Sequence, residues 1–193
     1  MKNIAVFCGA SAGYNSIYRE VAIEVGTYLA TNQLSLIYGG GNVGLMGIVA
    51  DAVLAAGGEV IGVIPDFLKK WEVAHSGLTE LHITETMHER KALMAERADA
   101  FITLPGGFGS MDELFEILTW KQLNIHQKPV GILNIDGFYD PLLLMLDQMV
   151  SKGFLKPANR DMLLVSDSIE QLMALMQTHQ PVFTEKWVDR EKI

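Results

Sequence analysis

A doubly wound α/β fold, a parallel sheet with helices on both faces, is the class this sequence predicts. Three observations carry it: short apolar runs alternate with helix-length amphipathic stripes, glycine-rich turns close several of the runs, and the spacing between runs leaves room for crossover helices. The chain has 193 residues and 49% hydrophobic content, enough to bury one substantial core, and no composition shift, repeat or low-complexity stretch divides it. One compact domain is expected, followed by a tail over residues 179–193 that is mobile or depends on a partner.

Residues 4–7 form an apolar run closed by Cys8, Gly9 and Ser11, which predicts a fully buried parallel strand ending in a small-residue loop. Over 16–29 the positions Ile17, Val21, Val25 and Leu29 recur every four residues, the stripe of a helix laid on a sheet. A second strand at 34–38 runs into Gly39, Gly40, Gly41, Asn42, Val43 and Gly44, and a helix follows over 45–56. Residues 60–64 read as a strand stopped by Pro65. The stretch 66–79, with Trp71, His75 and Gly77, shows no period and is expected as loop with at most one helical turn. A short strand at 81–84, a helix over 87–98 and a strand at 100–104 then lead to Pro105. Beyond it come a strand at 130–133, a helix over 139–150 with Pro141 in its first turn, a strand at 163–165 and a helix over 169–176.

The net charge of −8, without a lysine or arginine run, excludes the electrostatic footprint of a nucleic-acid binder, so any anionic ligand must be held locally. Cys8 is the single cysteine, which excludes an internal disulfide and a multi-cysteine metal site and suits a reducing cytoplasm. No stretch approaches the roughly 18 apolar residues of a membrane span, and the N-terminus lacks a targeting pattern, so a soluble, untargeted protein is expected. His75, His82, His88, His126 and His179 show no metal-ligand spacing, and neither a metal nor a cofactor is expected.

In a doubly wound sheet, ligands bind at the carboxyl ends of the strands near a topological switch point, where the loops at Cys8, Gly39 and Pro105 should gather. The stretch 105–116, PGGFGSMDELFE, reads as a strand end, a glycine turn through Gly106, Gly107 and Gly109, and a helix start capped by Ser110. Its N–H groups and helix dipole would take a phosphate or another anion, with Glu113 in the first turn beside it. Ser110 and Glu113 also fit the capping box, so Glu113 is either a cap or a functional carboxylate. Asp112, Glu113 and Glu116 crowd one face and repel one another unless something uses them.

On the helix over 87–98, Arg90 and Arg97 share the stripe of Met87, Leu93 and Met94, and neither has a carboxylate three or four residues away. Their counter-anions must come from elsewhere: a ligand for Arg90, and solvent or the helix C-terminus as the plainer reading for Arg97. Gly39, Gly41 and Gly44 match the glycine spacing of a dinucleotide fingerprint, with Glu59 or Asp66 near enough for the ribose; the alternative is a tight turn that lets helix and sheet approach. Cys8 is a nucleophile or, more simply, a small core residue.

Taken together, FCGASAG at 7–13, GGGNVGLMG at 39–47, MHERKALM at 87–94 and PGGFGSMDELFE resemble the Lonely Guy (LOG) family of cytokinin riboside 5′-monophosphate phosphoribohydrolases, formerly labelled lysine decarboxylases. The resemblance runs over nearly the whole chain and sets the domain at residues 1–178. It implies a Rossmann-like fold, a homodimer, and cleavage of the N-glycosidic bond of an adenosine 5′-monophosphate or its N6-prenylated relative to free base and ribose 5-phosphate. By motif position the family's essential arginine and glutamate fall on Arg90 and Glu113. The substrate-binding set it implies is Gly41, Gly44, Lys91, Met94, Arg97, Gly106, Gly107, Gly109, Ser110 and Glu116, with Met94 and Arg97 toward the base. Ser110 stands where the family usually has threonine, and Asp112 where it usually has glutamate. The competing classes are a nucleotide or molybdenum-cofactor carrier of the same fold, in which Glu113 is only a cap, and an NAD-dependent oxidoreductase built on residues 39–44. A decarboxylase would need a lysine for pyridoxal phosphate, and no lysine is singled out.

Overall fold

The computed structural model describes residues 1–69 and 73–180. Trp71 lies outside the described residues, and so does the expected tail beyond Gln180. Seven strands, β1 (Asn3–Phe7), β2 (Ser35–Tyr38), β3 (Val60–Pro65), β4 (Glu80–Thr84), β5 (Ala100–Thr103), β6 (Val130–Leu133) and β7 (Leu163–Ser166), pair in parallel in the order β4-β3-β2-β1-β5-β6-β7. The helices are α1 (Ser16–Thr31), α2 (Gly44–Ala55), α3 (Met87–Arg97), α4 (Phe108–Gln122), α5 (Asp140–Ser151), the short α6 (Pro157–Arg160) and α7 (Ile169–Thr178). Side chains of α1, α2 and α7 bury one face of the sheet. Those of α3, α4 and α5 bury the other, which makes the doubly wound fold expected from the sequence.

The inner strands read as unbroken apolar runs because both of their faces are covered: every residue of β2, β5 and β6 is buried. Strand β4 is different. It lies at the edge, with Glu80, Leu81 and Ile83 exposed, which is why its pattern is mixed. Chain direction reverses beside β1: the chain moves outward through β2, β3 and β4, then returns to place β5 on the opposite flank of β1, with Ile4 opposite Ala100 and Phe7 opposite Thr103.

The start of α4 departs from expectation. Gly107, not Ser110, is the N-cap, with an extended backbone and no side-chain capping bond. Ser110 lies inside the first turn, buried, its hydroxyl filling the space a side chain at Gly106 would need. Glu113 consequently falls in the second turn, and the capping box predicted there does not form. Burial of Leu114 and Ile117 fixes the helix and draws Gly109 into its first turn despite that residue's poor propensity. The same S/T-x-x-E pattern does cap α3. Thr86 Oγ1 accepts from the Glu89 N–H at 3.1 Å, and Glu89 Oε2 accepts from the Glu85 N–H at 2.9 Å. Helix α6, at four residues, is too short to leave a period in the sequence.

The loop after β2 is pinned to the loop after β1. Leu45 donates its N–H to the Gly9 carbonyl at 2.9 Å, and Gly44 takes φ +55° with its Cα against the backbone of Ala10 and Ser11. A β-carbon there would overlap that backbone. At the opposite end of the sheet, Lys121 is fully buried and donates to the Lys128 carbonyl at 3.0 Å, with His179 Nε2 at 2.9 Å. His179, expected in the tail, is thus tied to α4. Burial lowers the Lys121 pKa to about 8.

Two outcomes follow for stability. Gly44→Ala combines a left-handed backbone with overlap of fixed atoms and is expected to cost about 2 kcal/mol or more, read as a fall in the urea midpoint. Lys121 carries its full burial cost while both folded and unfolded lysines are charged. As the pH rises through about 8 the folded lysine loses its proton before the unfolded one does, so its contribution to stability rises with pH. Lys121→Met is therefore expected to flatten the increase in urea midpoint between about pH 7 and about pH 10; an unchanged slope would assign that increase to other groups.

Candidate active site

The loops after β1 and β5 lean on each other at the switch point. Gly9 donates its N–H to the Pro105 carbonyl at 3.1 Å, and Leu104 donates to Phe7 at 2.8 Å. The chain then enters α4, whose first intrahelical bond in this turn runs from the Met111 N–H to the Gly107 carbonyl at 3.1 Å. The N–H groups of Phe108, Gly109 and Ser110 precede that bond and border a cavity of about 310 Å³ lined also by Arg90 and Glu113. A neighbouring cavity of about 440 Å³, lined by Gly106 and the small residues 9–13, shares Ala10 and Gly107 with it. Two adjoining compartments meet at the glycine turn.

Arg90 is the buried charge of the site, only 5% exposed. Its Nη2 lies 3.4 Å from Glu113 Oε1, its Nη1 lies 3.8 Å from Met87 Sδ, and its Nε has no hydrogen-bond partner among the described residues. The guanidinium sits over Gly39 at the end of β2, in space that any side chain there would take. A guanidinium offers five donors, and a long contact to one carboxylate leaves most of them without a strong acceptor. Such a group favours an incoming anion. Cys8 lines the same cavity, and burial together with the charge of Glu113 pushes its thiol far above the ordinary range. It is a protonated core cysteine, so the nucleophile reading falls.

The crowded carboxylates are accounted for by the adjacent helix. Arg90 faces Glu113, while Lys91 Nζ lies 2.6 Å from Asp112 and 3.4 Å from Glu116. Burial works against the Lys91 charge, but the two carboxylates outweigh it and hold its pKa above the ordinary lysine value. Lys91 and Glu116 therefore hold each other, and neither lines the cavities at the switch point.

The structure brings together Arg90, Glu113, Gly106, Gly107, Gly109 and Ser110. Besides Lys91 and Glu116, it takes four expected residues elsewhere. Met94 is buried in the core beneath the sheet, because the stripe it shares with Leu93 is what docks α3. Arg97 pairs with Glu80 on the edge strand at 3.0 Å. Gly41 bridges to Ala74 and Gly44 packs on Ala10 and Ser11, so this loop joins protein to protein. Its proposed ribose partners are also engaged, Glu59 with Ser35 at the far end of the strands and Asp66 with Lys69. The dinucleotide reading has no support in this geometry. Cys8, Ala10, Met46 and Met87 line the site without having been singled out as contacts, although each belongs to one of the four motifs. Leu68, Tyr18 and Phe138 carry no local signal and reach the cavities only through the fold.

A family model described as "Possible lysine decarboxylase" matches residues 46–176. Cytokinin riboside 5′-monophosphate phosphoribohydrolase LOG7 of Arabidopsis thaliana is 45% identical over 184 residues, 95% of this chain and 85% of its own length. The phosphoribohydrolase LOG1 of the same plant is 43% identical over 196 residues, covering 100% of this chain and 92% of its own length. The solved molybdenum cofactor carrier protein of Chlamydomonas reinhardtii superposes with a TM-score of 0.68 at 21% identity, over 91% of this chain and 96% of that one, a likeness of fold. Motifs, sheet order and relatives agree: the chain belongs to the LOG family, the group whose model still carries the lysine decarboxylase description.

Proposed function

We propose that the chain is a phosphoribohydrolase that cleaves the N-glycosidic bond of a purine nucleoside 5′-monophosphate, of the adenosine or cytokinin riboside type, to free base and ribose 5-phosphate. The observation that carries this reading is the buried Arg90–Glu113 pair facing the N–H groups of α4 across one cavity. Relatives above 40% identity that bear this activity in their names support it.

The chemistry follows from what each group can do. The 5′-phosphate rests on the N–H groups of residues 106–110 and fixes the ribose over the first turns of α4. Arg90 holds the phosphate or ribose and gains the acceptors it lacks in the protein alone. As the bond from C1′ to the base nitrogen breaks, its electron pair leaves with the base and positive charge develops on the ribose. The Glu113 carboxylate stabilises that charge. It also orients the water that attacks C1′ and accepts a proton from it, while the departing base takes up a proton. No step calls for a metal, and the Cys8 thiol has no part.

A carrier reading rests on likeness of fold alone, at 21% identity. It gives the Glu113 carboxylate at the cavity no part beyond holding protein groups such as Arg90. The proposal also takes the protein to be a homodimer in the cytoplasm, with residues 1–178 as the hydrolase domain. Leu144, Met145 and Phe154, on and after α5, are exposed apolar side chains that a second copy could cover. Among the described residues no helix is long and apolar enough to cross a membrane.

Release of free base from AMP and from its N6-isopentenyl derivative, followed by chromatography with the nucleoside and triphosphate as controls, tests the reading. Glu113→Gln is expected to lower kcat by about 100-fold or more while monophosphate binding persists; full turnover by this variant would remove Glu113 from catalysis. Arg90→Lys keeps a charge but loses the planar fork, and is expected to lower kcat/KM by roughly tenfold or more. Binding of monophosphates by the wild-type protein without base release would favour the carrier.

A further inference from the structure

Lys91 was expected among the substrate contacts, yet it lies off the cavity and between two carboxylates of α4. Asp112 and Glu116 are four residues apart and so stack on one side of that helix, with Glu113 between them in sequence and three residues from Glu116. Left uncompensated, both would disfavour the anionic form of Glu113 by like-charge repulsion. Lys91 reaches across from α3 with its side chain 12% exposed and contacts both. Its predecessor Arg90 faces Glu113. Consecutive residues on a helix point about 100° apart, so anchoring Lys91 on α4 also fixes the roll of α3 and the place of the guanidinium. Burial first, and then the charge of Glu113, keep the nearby Cys8 thiol neutral.

We propose that Lys91 is a positioning residue for Glu113: its ammonium engages Asp112 and Glu116, keeps Glu113 ionised toward the cavity, and holds Arg90 in register with it. The role of Lys91 in the reaction rests on the hydrolase reading; its electrostatic role does not.

The test reads Glu113 directly and then the reaction. Carboxyl ¹³C NMR gives the Glu113 titration midpoint, with Glu113→Gln assigning the resonance, in wild type, Lys91→Met, Lys91→Arg and the double variant Asp112→Asn/Glu116→Gln. Lys91→Met is expected to raise the midpoint by about one unit, Lys91→Arg to restore it, and the double variant to lower it, since Lys91 then stands unopposed. For base release from AMP, the acid limb of the kcat profile should move with the midpoint in each variant, and KM should change less than kcat. Midpoints that stay fixed, or that move the same way in Lys91→Met and in the double variant, would overturn the proposal by reducing Lys91 to a packing clip. Where Lys91→Met does not fold, Lys91→Gln, which keeps a hydrogen-bonding end without the charge, takes its place and is expected to raise the midpoint in the same way. Moving midpoints in a wild type that releases no base would leave the electrostatic role standing and remove the hydrolase reading; base release with fixed midpoints would do the reverse.

Discussion

Strands β1 and β5 lie side by side in parallel, but the chain leaves β1 toward α1 on one face of the sheet and leaves β5 toward α4 on the other, so their two exits diverge. That divergence opens the crevice. A parallel pair cannot close its end with a hairpin, and the loops there must be held by bonds between themselves, as from Gly9 to Pro105. The small residues after β1 and the glycines after β5 follow from this: two loops share one strand end, and larger side chains would fill the space between them. The cavities are therefore a product of strand order before they are a product of any one motif.

Within that frame the charges of α3 and α4 determine what the crevice can do. Two cations of α3, Arg90 and Lys91, oppose three anions of α4, Asp112, Glu113 and Glu116. The pairs are unequal. Lys91 makes the short contact, to the exposed Asp112, whereas Arg90 and Glu113 face each other at 3.4 Å with both side chains largely buried. Burying a guanidinium is costly unless acceptors surround it, and here its Nε has none among the described residues. A guanidinium held this way favours a ligand that supplies acceptors, which is how a site can select an anion without a broadly positive surface.

Much of this could be read from the sequence, for identifiable reasons. Strands buried on both faces leave continuous apolar runs, so β1, β2, β5 and β6 were visible as runs, while edge strand β4 was weaker because half of it faces water. For Arg90 the sequence showed only that the counter-anion lies outside α3: the spacing pointed to a ligand, and the carboxylate the arginine faces in the protein is Glu113 on α4. Patterns that depend on what lies opposite were less legible. Ser110 and Glu113 spell the same cap as Thr86 and Glu89, yet only the second forms, because Gly107 begins α4 early and turns Ser110 inward. Gly39, Gly41 and Gly44 match a nucleotide loop, but what they meet is the Arg90 guanidinium, Ala74 and the β1 loop respectively. Local spacing records that backbone must come close to something; it does not record what.

That distinction bears on how one fold serves both carriers and hydrolases. Loops at the switch point and the N–H groups of α4 suffice to hold a phosphorylated ligand, and they require only glycine and a strand order. Cleaving a glycosidic bond asks for a carboxylate that remains charged beside the sugar in a partly dry cavity, and the N-terminal half of α4 concentrates acids that oppose one another's ionisation. A protein of net charge −8 cannot steer a nucleotide anion from a distance, since salt screens such fields beyond about 8 Å. The discrimination must therefore lie in the first contacts. In the proposed hydrolase a substrate phosphate on Arg90 would share its guanidinium with Glu113, so Arg90 has to take the phosphate without releasing the carboxylate, because a lone carboxylate beside a phosphate takes up a proton more readily.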